Sequence, residues 1–249
     1  MEYLRVTKEN LKDEHICCGF SDKKCSQGYE EKKDWLAQRI DSGYAFLKLP
    51  VRGKVFIEYS PAETAMAPIT APGYTVINCF WVSGRFKGQG HGKALLEKCI
   101  AVSKDTNGIL AVVGKKKLPF LSDKKFLMHR GFSVVDTALE KFELLCLKFD
   151  PSAPDPRFTD SAKTGKTEYT EDVVVYYSNR CPFTPYYAGT VLKEIAENRG
   201  LSFRAVHTAT QTEAEQLPAP ASIYSVFYKG TFLTQEILTE KKFDKLTGV

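Results

Sequence analysis

FWVSGRFKGQGHGKALL, residues 80–96, is the stretch from which the fold is read. Its first three residues close an apolar run, GYTVINCFWV (73–82), with the β-branched and aromatic content of a buried strand. Glycines follow at 88, 90 and 92, and an apolar helical pattern over 92–103 places Leu95, Leu96, Cys99, Ile100 and Val102 on one side. Strand, glycine loop, helix is an anion-binding arrangement. Glycine lets the main chain approach a ligand without a Cβ, and the helix start offers unpaired N–H groups and a partial positive charge. Lys87 and Lys93 add side-chain charge. The register excludes two common phosphate loops. A dinucleotide G-x-G-x-x-G fails because Lys93 and Leu95 stand where glycine is needed, and G-x-x-x-x-G-K-[ST] fails at Lys87 and Ala94. Gly165-Lys166-Thr167 is a decoy, with Asp160 at its first position and no strand before it.

Outward from the loop the pattern is mixed. Tyr3–Val6 reads as an edge strand and Lys33–Ile40 as a helix with Trp35, Leu36 and Ile40 on one face. The runs Tyr44–Leu49 and Lys54–Tyr59 flank a turn and predict a hairpin. After the loop helix come a strand at Ile109–Val113, a short helix at Leu121–His129, and strands at Phe132–Val135 and Phe142–Phe149. This is an α/β (α+β) class domain over 1–150, with a mixed, largely antiparallel sheet. Residues 151–172 carry prolines, Ser/Thr and few apolar residues, which predicts a linker. A second, smaller domain then spans 173–249.

Lys87-Gly88-Gln89-Gly90-His91-Gly92, entered from Phe80-Trp81-Val82 and leaving into an apolar helix, resembles the acetyl-CoA loop of the GNAT N-acyltransferase superfamily. Lys87 stands where Gln or Arg is usual. Arg130-Gly131-Phe132 is similar to the family's late turn, and the order of elements over 1–150 agrees. The resemblance implies that amides from Gln89 through Lys93 hold a pyrophosphate, with His91 contributing its backbone. It implies that the strand end Phe80–Val82 pairs with the pantetheine arm, and that acetyl-CoA is the co-substrate. It further implies direct attack by an amine in a ternary complex. The family's Tyr acid, four residues before the late glycine, is here Leu127, and Phe120 stands where an Asn is common.

Substitute catalytic groups are few. Glu58, on a strand, either deprotonates the amine or is a solvent-facing carboxylate. Cys79, in the central strand, either lies near the thioester or is a core thiol. The early cysteines Cys17, Cys18 and Cys25 lack zinc-site spacing. They are expected in packing or in a substrate wall, and no metal is assigned.

The second domain begins VVVYYSNRCPFT, a strand running into Cys181-Pro182-Phe183-Thr184. A helix at Ala188–Asn198, a strand at Ser202–Val206, a strand at Ile223–Tyr228 and a helix at Glu240–Leu246 follow. That order resembles a thioredoxin-like fold, with Pro220 in the place of its cis-proline and Thr184 replacing the second redox cysteine. A cysteine before a helix has a lowered pKa where the dipole reaches it, so Cys181 is a candidate redox thiol. The combination resembles GNAT proteins with a C-terminal YoaP-type domain. It implies an acetyltransferase acting on a small-molecule or peptide amine. Two readings stand beside it: a thiol-redox or thiol-transfer protein acting through Cys181, and an acyl-CoA-binding regulator without turnover.

Composition agrees. Of the 249 residues, 43% are hydrophobic and 26% charged, enough for two cores. A net charge of +5 without a concentrated basic face predicts no nucleic-acid partner, and no apolar run predicts a membrane span. Seven cysteines and a charged N-terminus without an apolar leader predict a reduced, cytoplasmic protein.

Overall fold

The structure is a computed structural model describing residues 2–249. Among these, a seven-stranded sheet contains β1 (Leu4–Val6), β2 (Ala45–Lys48), β3 (Val55–Pro61), β5 (Thr75–Val82), β6 (Gly108–Gly114), β7 (Ser133–Ala138) and β8 (Phe142–Lys148). Its order is β1-β2-β3-β5-β6-β8-β7. All neighbours are antiparallel except β5 and β6, which run parallel. The parallel pair follows from the connection: strand, loop and the helix α2 (His91–Val102) form one crossover. The expected hairpin is β2–β3.

α2 lays Leu95, Leu96 and Cys99 against Leu47, Ile57, Ile109 and Ala111 on one face of the sheet. Val102, expected on that face, is 61% exposed. The opposite face carries Phe46 and Phe56 with α1 (Ser26–Arg39). α1 begins at Ser26 rather than Lys33. The expected short helix contracts to α3 (Lys124–Met128), started by Asp123, whose carboxylate accepts from the Phe126 N–H at 2.9 Å.

The second sheet has the order β11-β10-β12-β13, with β10 (Val173–Tyr177), β11 (Phe203–His207), β12 (Tyr224–Tyr228) and β13 (Thr231–Thr234). β10 and β11 are parallel, and β12 is antiparallel to both β10 and β13. Between β10 and β11 the chain is helical from α4 (Thr184–Tyr186) through a π-helical turn (Tyr187–Leu192) to α5 (Lys193–Glu197). α6 (Gln211–Glu215) and α7 (Glu240–Thr247) complete it. Val173-Val174-Val175-Tyr176 is apolar throughout because both faces of β10 are covered. Val173 and Val175 pack on Leu192, Ile195 and Phe243, while Val174 and Tyr176 join Phe46, Phe56 and Trp35 of the first domain in one shared core.

Residues 151–172 are packed rather than solvated. β9 (Arg157–Phe158) pairs with β4 (Ile69–Thr70), and Phe158 and Ala162 are wholly buried among Val76, Leu110 and Leu144. Polar composition concealed two apolar residues that suffice to anchor the strap. Among the described residues no peptide bond is cis, so Pro220 is trans and that expectation is corrected. No helix among them is long and apolar enough to cross a membrane.

Candidate active site

The two parallel strands diverge. β5 and β6 are paired only over Thr75–Ile77 and Ile109–Ala111. Beyond Ile77 the β6-facing edge of β5 is left without its strand partner, while its other edge stays bonded to β3 as far as Val82. A bulge marks the point of divergence: Glu58 faces Cys79 and Tyr59 faces Ile77, so Asn78 is the extra residue. An open strand edge of this kind takes an extended ligand by main-chain pairing.

At the end of that edge lies a groove of about 450 Å³. Nine of the ten residues expected to bind cofactor line it: Phe80, Trp81, Val82, Lys87, Gly88, Gly90, His91, Gly92 and Lys93. Gln89 does not, since its amide Nε2 turns back to donate to the Arg85 carbonyl at 2.6 Å. Gly88 and Gly90 have φ of +77° and +81°, and a Cβ built on either meets nothing within 4 Å. The backbone conformation, not crowding by protein, is what demands glycine there. The first helical bond of α2 is Ala94 N–H to the Gly90 carbonyl at 3.0 Å. The amides of His91, Gly92 and Lys93 therefore precede the helical ladder and are free for an anion. The His91 ring is buried and bonds the Tyr3 hydroxyl at 3.0 Å, so it anchors the loop from behind.

Sequence reasoning missed part of the wall. Lys117 and Arg130 also line the groove, and Phe126 stacks edge-on against Phe80 at 5.5 Å. Arg130 was legible as part of the late turn, but the distance in sequence from Lys87 hid their shared rim. Four cations, Lys87, Lys93, Lys117 and Arg130, face one carboxylate, Asp123. The residues fit a polyphosphate thioester such as acetyl-CoA: main-chain donors, cationic rim, apolar floor and unpaired strand edge.

The catalytic candidates lie elsewhere. Glu58 lines no part of the groove and does not face solvent. It is 1% exposed, and its carboxylate accepts from Lys32 Nζ at 2.6 Å and Tyr44 Oη at 2.7 Å. Lys32 Nζ also donates to the Arg180 carbonyl at 2.8 Å, so this pair ties the two domains together. Burial pushes the Tyr44 hydroxyl well above its ordinary pKa, with the Glu58 charge adding to it. Cys79 is half-buried, and burial raises its pKa well above the usual range. Leu127, which stands where the resemblance implies an acid, is completely buried.

Cys181 is buried, only 7% exposed. Burial pushes its thiol up to about 12, against the lowered value expected beside a helix start. The helix begins only at Thr184, whose hydroxyl donates to the carbonyls of Ser178 and Cys181. Pro182 is wedged against α1, so closely that a Cβ at Gly28 would lie 2.3 Å from the Pro182 carbonyl oxygen. All seven cysteines are free, and among the described residues no His/Cys/Asp/Glu group is arranged for a metal.

The divergent parallel pair, the glycine cradle at a helix start and the cationic rim define an acyl-CoA-dependent acyltransferase. Residues 11–117 match the model of the acetyltransferase (GNAT) family, and residues 202–245 match the YoaP-like model. The chain is 43% identical over 250 residues to the "Uncharacterized N-acetyltransferase YoaP" of Bacillus subtilis (strain 168), covering 99% of this chain and 98% of that protein. It belongs to the GNAT acetyltransferases with a YoaP-like C-terminal domain, and is an acetyl-CoA-dependent N-acetyltransferase. Solved structures show a weaker likeness. A putative GNAT acetyltransferase from Desulfovibrio desulfuricans is 15% identical, covering 60% of this chain and 99% of that one, with a TM-score of 0.42. PaiA N-acetyltransferase from Thermoplasma acidophilum, in complex with coenzyme A, is 17% identical, covering 58% and 98%, with a TM-score of 0.40. Similarity at that level adds nothing to the full-length relative.

Proposed function

We propose that the groove holds acetyl-CoA through the amides of His91, Gly92 and Lys93 and the side chains of Lys87, Lys93, Lys117 and Arg130. On this reading the edge of β5 at Phe80–Val82 pairs with the extended arm. The observation that carries it is the cradle itself, two left-handed glycines with open space above them at the start of α2. Acetyl-CoA supplies an activated acetyl thioester. A neutral amine, on a small molecule or a peptide, takes the acetyl group in exchange for a proton, and coenzyme A leaves as the thiol. Residues 80–82 orient the thioester end, and Phe80, packed edge-on against Phe126, walls it. Leu127 has no proton to give, so the thiol's proton comes from another position.

Glu58 is assigned to positioning. Its carboxylate is saturated by Lys32 and Tyr44, and through Lys32 it holds the main chain at Arg180. Cys79 packs. We divide the chain into an acetyltransferase domain (1–150), a connecting strap (151–172) and a C-terminal domain (173–249) of thioredoxin-like type. The parallel β10–helix–β11 unit followed by the antiparallel β12–β13 pair supports that type. Thr184 in place of a second cysteine, and a buried Cys181, argue that this domain shapes the acetyltransferase rather than exchanging thiols. Seven free thiols support a reducing, cytoplasmic setting.

The test is coenzyme A release from acetyl-CoA with a panel of amines, comparing wild type with Cys181→Ser. Turnover retained in the variant supports the acetyltransferase reading. Turnover lost with the variant folded and still binding acetyl-CoA supports a thiol mechanism instead.

A further inference from the structure

Further down the same two strands lies a second, smaller cavity. Ile77 and Asn78 of β5 and Val112 of β6 form one wall, and Arg180, Tyr224 and Gln235 of the C-terminal domain form the other. Leu121 lines both this cavity and the groove, so the two adjoin. The space is about 30 Å³, room for about two water-sized groups.

Its polar lining is one-sided. Arg180 is 7% exposed, Tyr224 1% and Gln235 3%. Arg180 Nε, Tyr224 Oη and Gln235 Nε2 are each buried without a hydrogen-bond partner. All three carry N–H or O–H donors, so what they lack is an acceptor. The remaining guanidinium nitrogens are fixed by neutral groups. Nη1 donates to the Met66 carbonyl at 2.9 Å and Ser222 Oγ at 2.7 Å, and Nη2 donates to Asn78 Oδ1 at 2.8 Å. Asn78 is the bulge residue, aimed here by the irregularity and steadied by its bond to Ser60 Oγ at 2.9 Å. Among the described residues no carboxylate pairs with Arg180. Glu58, the carboxylate tied to this interface, is engaged by Lys32. Lys32, Glu58 and Arg180 thus bury one positive charge in excess. A buried guanidinium without an anion is costly, and a preoriented fork with free donors beside it suits two carboxylate oxygens.

We infer that this interdomain cavity is the acceptor's carboxylate subsite, and that the enzyme acetylates a small amine bearing a carboxylate, an amino-acid-like acceptor. The inference rests on the groove being the acetyl-CoA site. A carboxylate held by Arg180, Tyr224 and Gln235 leaves the amine a few bonds away, along β5 toward Phe80. It gives the C-terminal domain a function in catalysis: it supplies half of the acceptor pocket.

The experiment pairs each amino acid with its carboxamide and measures acetylation by the full-length protein. The acid of a matched pair is expected to exceed its amide by at least about 100-fold in kcat/KM, because a site built for charged hydrogen bonds rejects the analogue that leaves them unmade. Arg180→Lys, which keeps the charge and loses the fork, is expected to raise KM for the acid at least about tenfold, with acetyl-CoA affinity measured beside it as the check on folding. Tyr224→Phe raises KM less and guards against misfolding of the first variant. Amides used as well as acids, or an acid preference untouched by Arg180→Lys, overturn the inference. A second readout needs no acetyl-CoA: the Nε–H signal of Arg180 in arginine-labelled protein, titrated with the same acids and amides. A shift with acids alone supports the subsite even if turnover is absent, in which case the groove reading has failed and the subsite has not. No shift with any acid overturns the subsite.

Discussion

Lys32 is wholly buried, and replacing it with methionine removes a charge while keeping the volume. The Glu58 carboxylate, 1% exposed, then keeps only the Tyr44 hydroxyl, and the Arg180 carbonyl loses its donor. Removing one partner of a buried ion pair costs about 3–5 kcal/mol, because the other charge is left uncompensated. For a chain of this length each kcal/mol lowers Tm by about 2–4 °C, so Lys32→Met is expected to melt roughly 6–20 °C below wild type. Lys32→Met with Glu58→Gln removes both charges and leaves Tyr44 a carbonyl to bond. It is expected to recover at least half of the loss, since neutral replacement of both partners is often near isoenergetic. Thermal and urea unfolding at pH 7 of wild type, Lys32→Met, Glu58→Gln and the double variant, followed by circular dichroism, give the four curves. A cost below about 1 kcal/mol for Lys32→Met would mean that the pair is hydrated and worth no more than a surface bridge. A double variant as unstable as the sum of the singles would mean that the two side chains act independently. Either result refutes the clamp.

Other consequences are equally direct. Alanine at an interior helical glycine usually stabilises by about 1 kcal/mol, but Gly28→Ala is expected to lower Tm, because its Cβ would meet the Pro182 carbonyl oxygen at 2.3 Å; a raised Tm counts against the interdomain contact. Cys181 has its folded pKa raised to about 12 from 9.0, so its contribution to stability is complete below pH 9 and drains away as pH rises toward 12. Wild type is expected to lose stability over that window more steeply than Cys181→Ala, and parallel curves would show that the thiol is not buried. Phe158 is wholly buried, so Phe158→Ala should cost about 3–5 kcal/mol; a change under about 1 kcal/mol would return residues 151–172 to the status of a free linker.

The sequence was most readable where local chemistry and global fold coincide. Gly88 and Gly90 advertise left-handed backbone, and the apolar runs on either side assign strand and helix without outside help. The hairpin around residues 49–54 and the parallel unit from β10 to β11 are legible for the same reason: periodicity, turn and connection length all agree. Long-range polar pairing was not. Lys32 read as one charge in a polar helix, and Glu58 as a surface carboxylate, because their partnership depends on a fold that brings residues 26 positions apart together and seats Arg180 beside them. The start of α1 was hidden similarly, since its buried members there are Gly28 and Lys32, neither of which marks an apolar face. Cys181 misled because the helix-dipole argument is local, while its burial under Pro182 and α1 is not. The acceptor cavity draws on residues from 67 to 235, and no window of sequence contains it.

If the glycine cradle binds acetyl-CoA, filling it must abolish binding. Calorimetric titration with acetyl-CoA of the wild type beside Gly90→Glu tests it most directly. The variant puts a side chain and a negative charge where the anion would sit, in a region where the protein itself offers no clash. Saturable binding by wild type that vanishes in a variant with an unchanged circular dichroism spectrum is the result predicted. Absence of binding by well-folded wild type, or undiminished binding by Gly90→Glu, would contradict it.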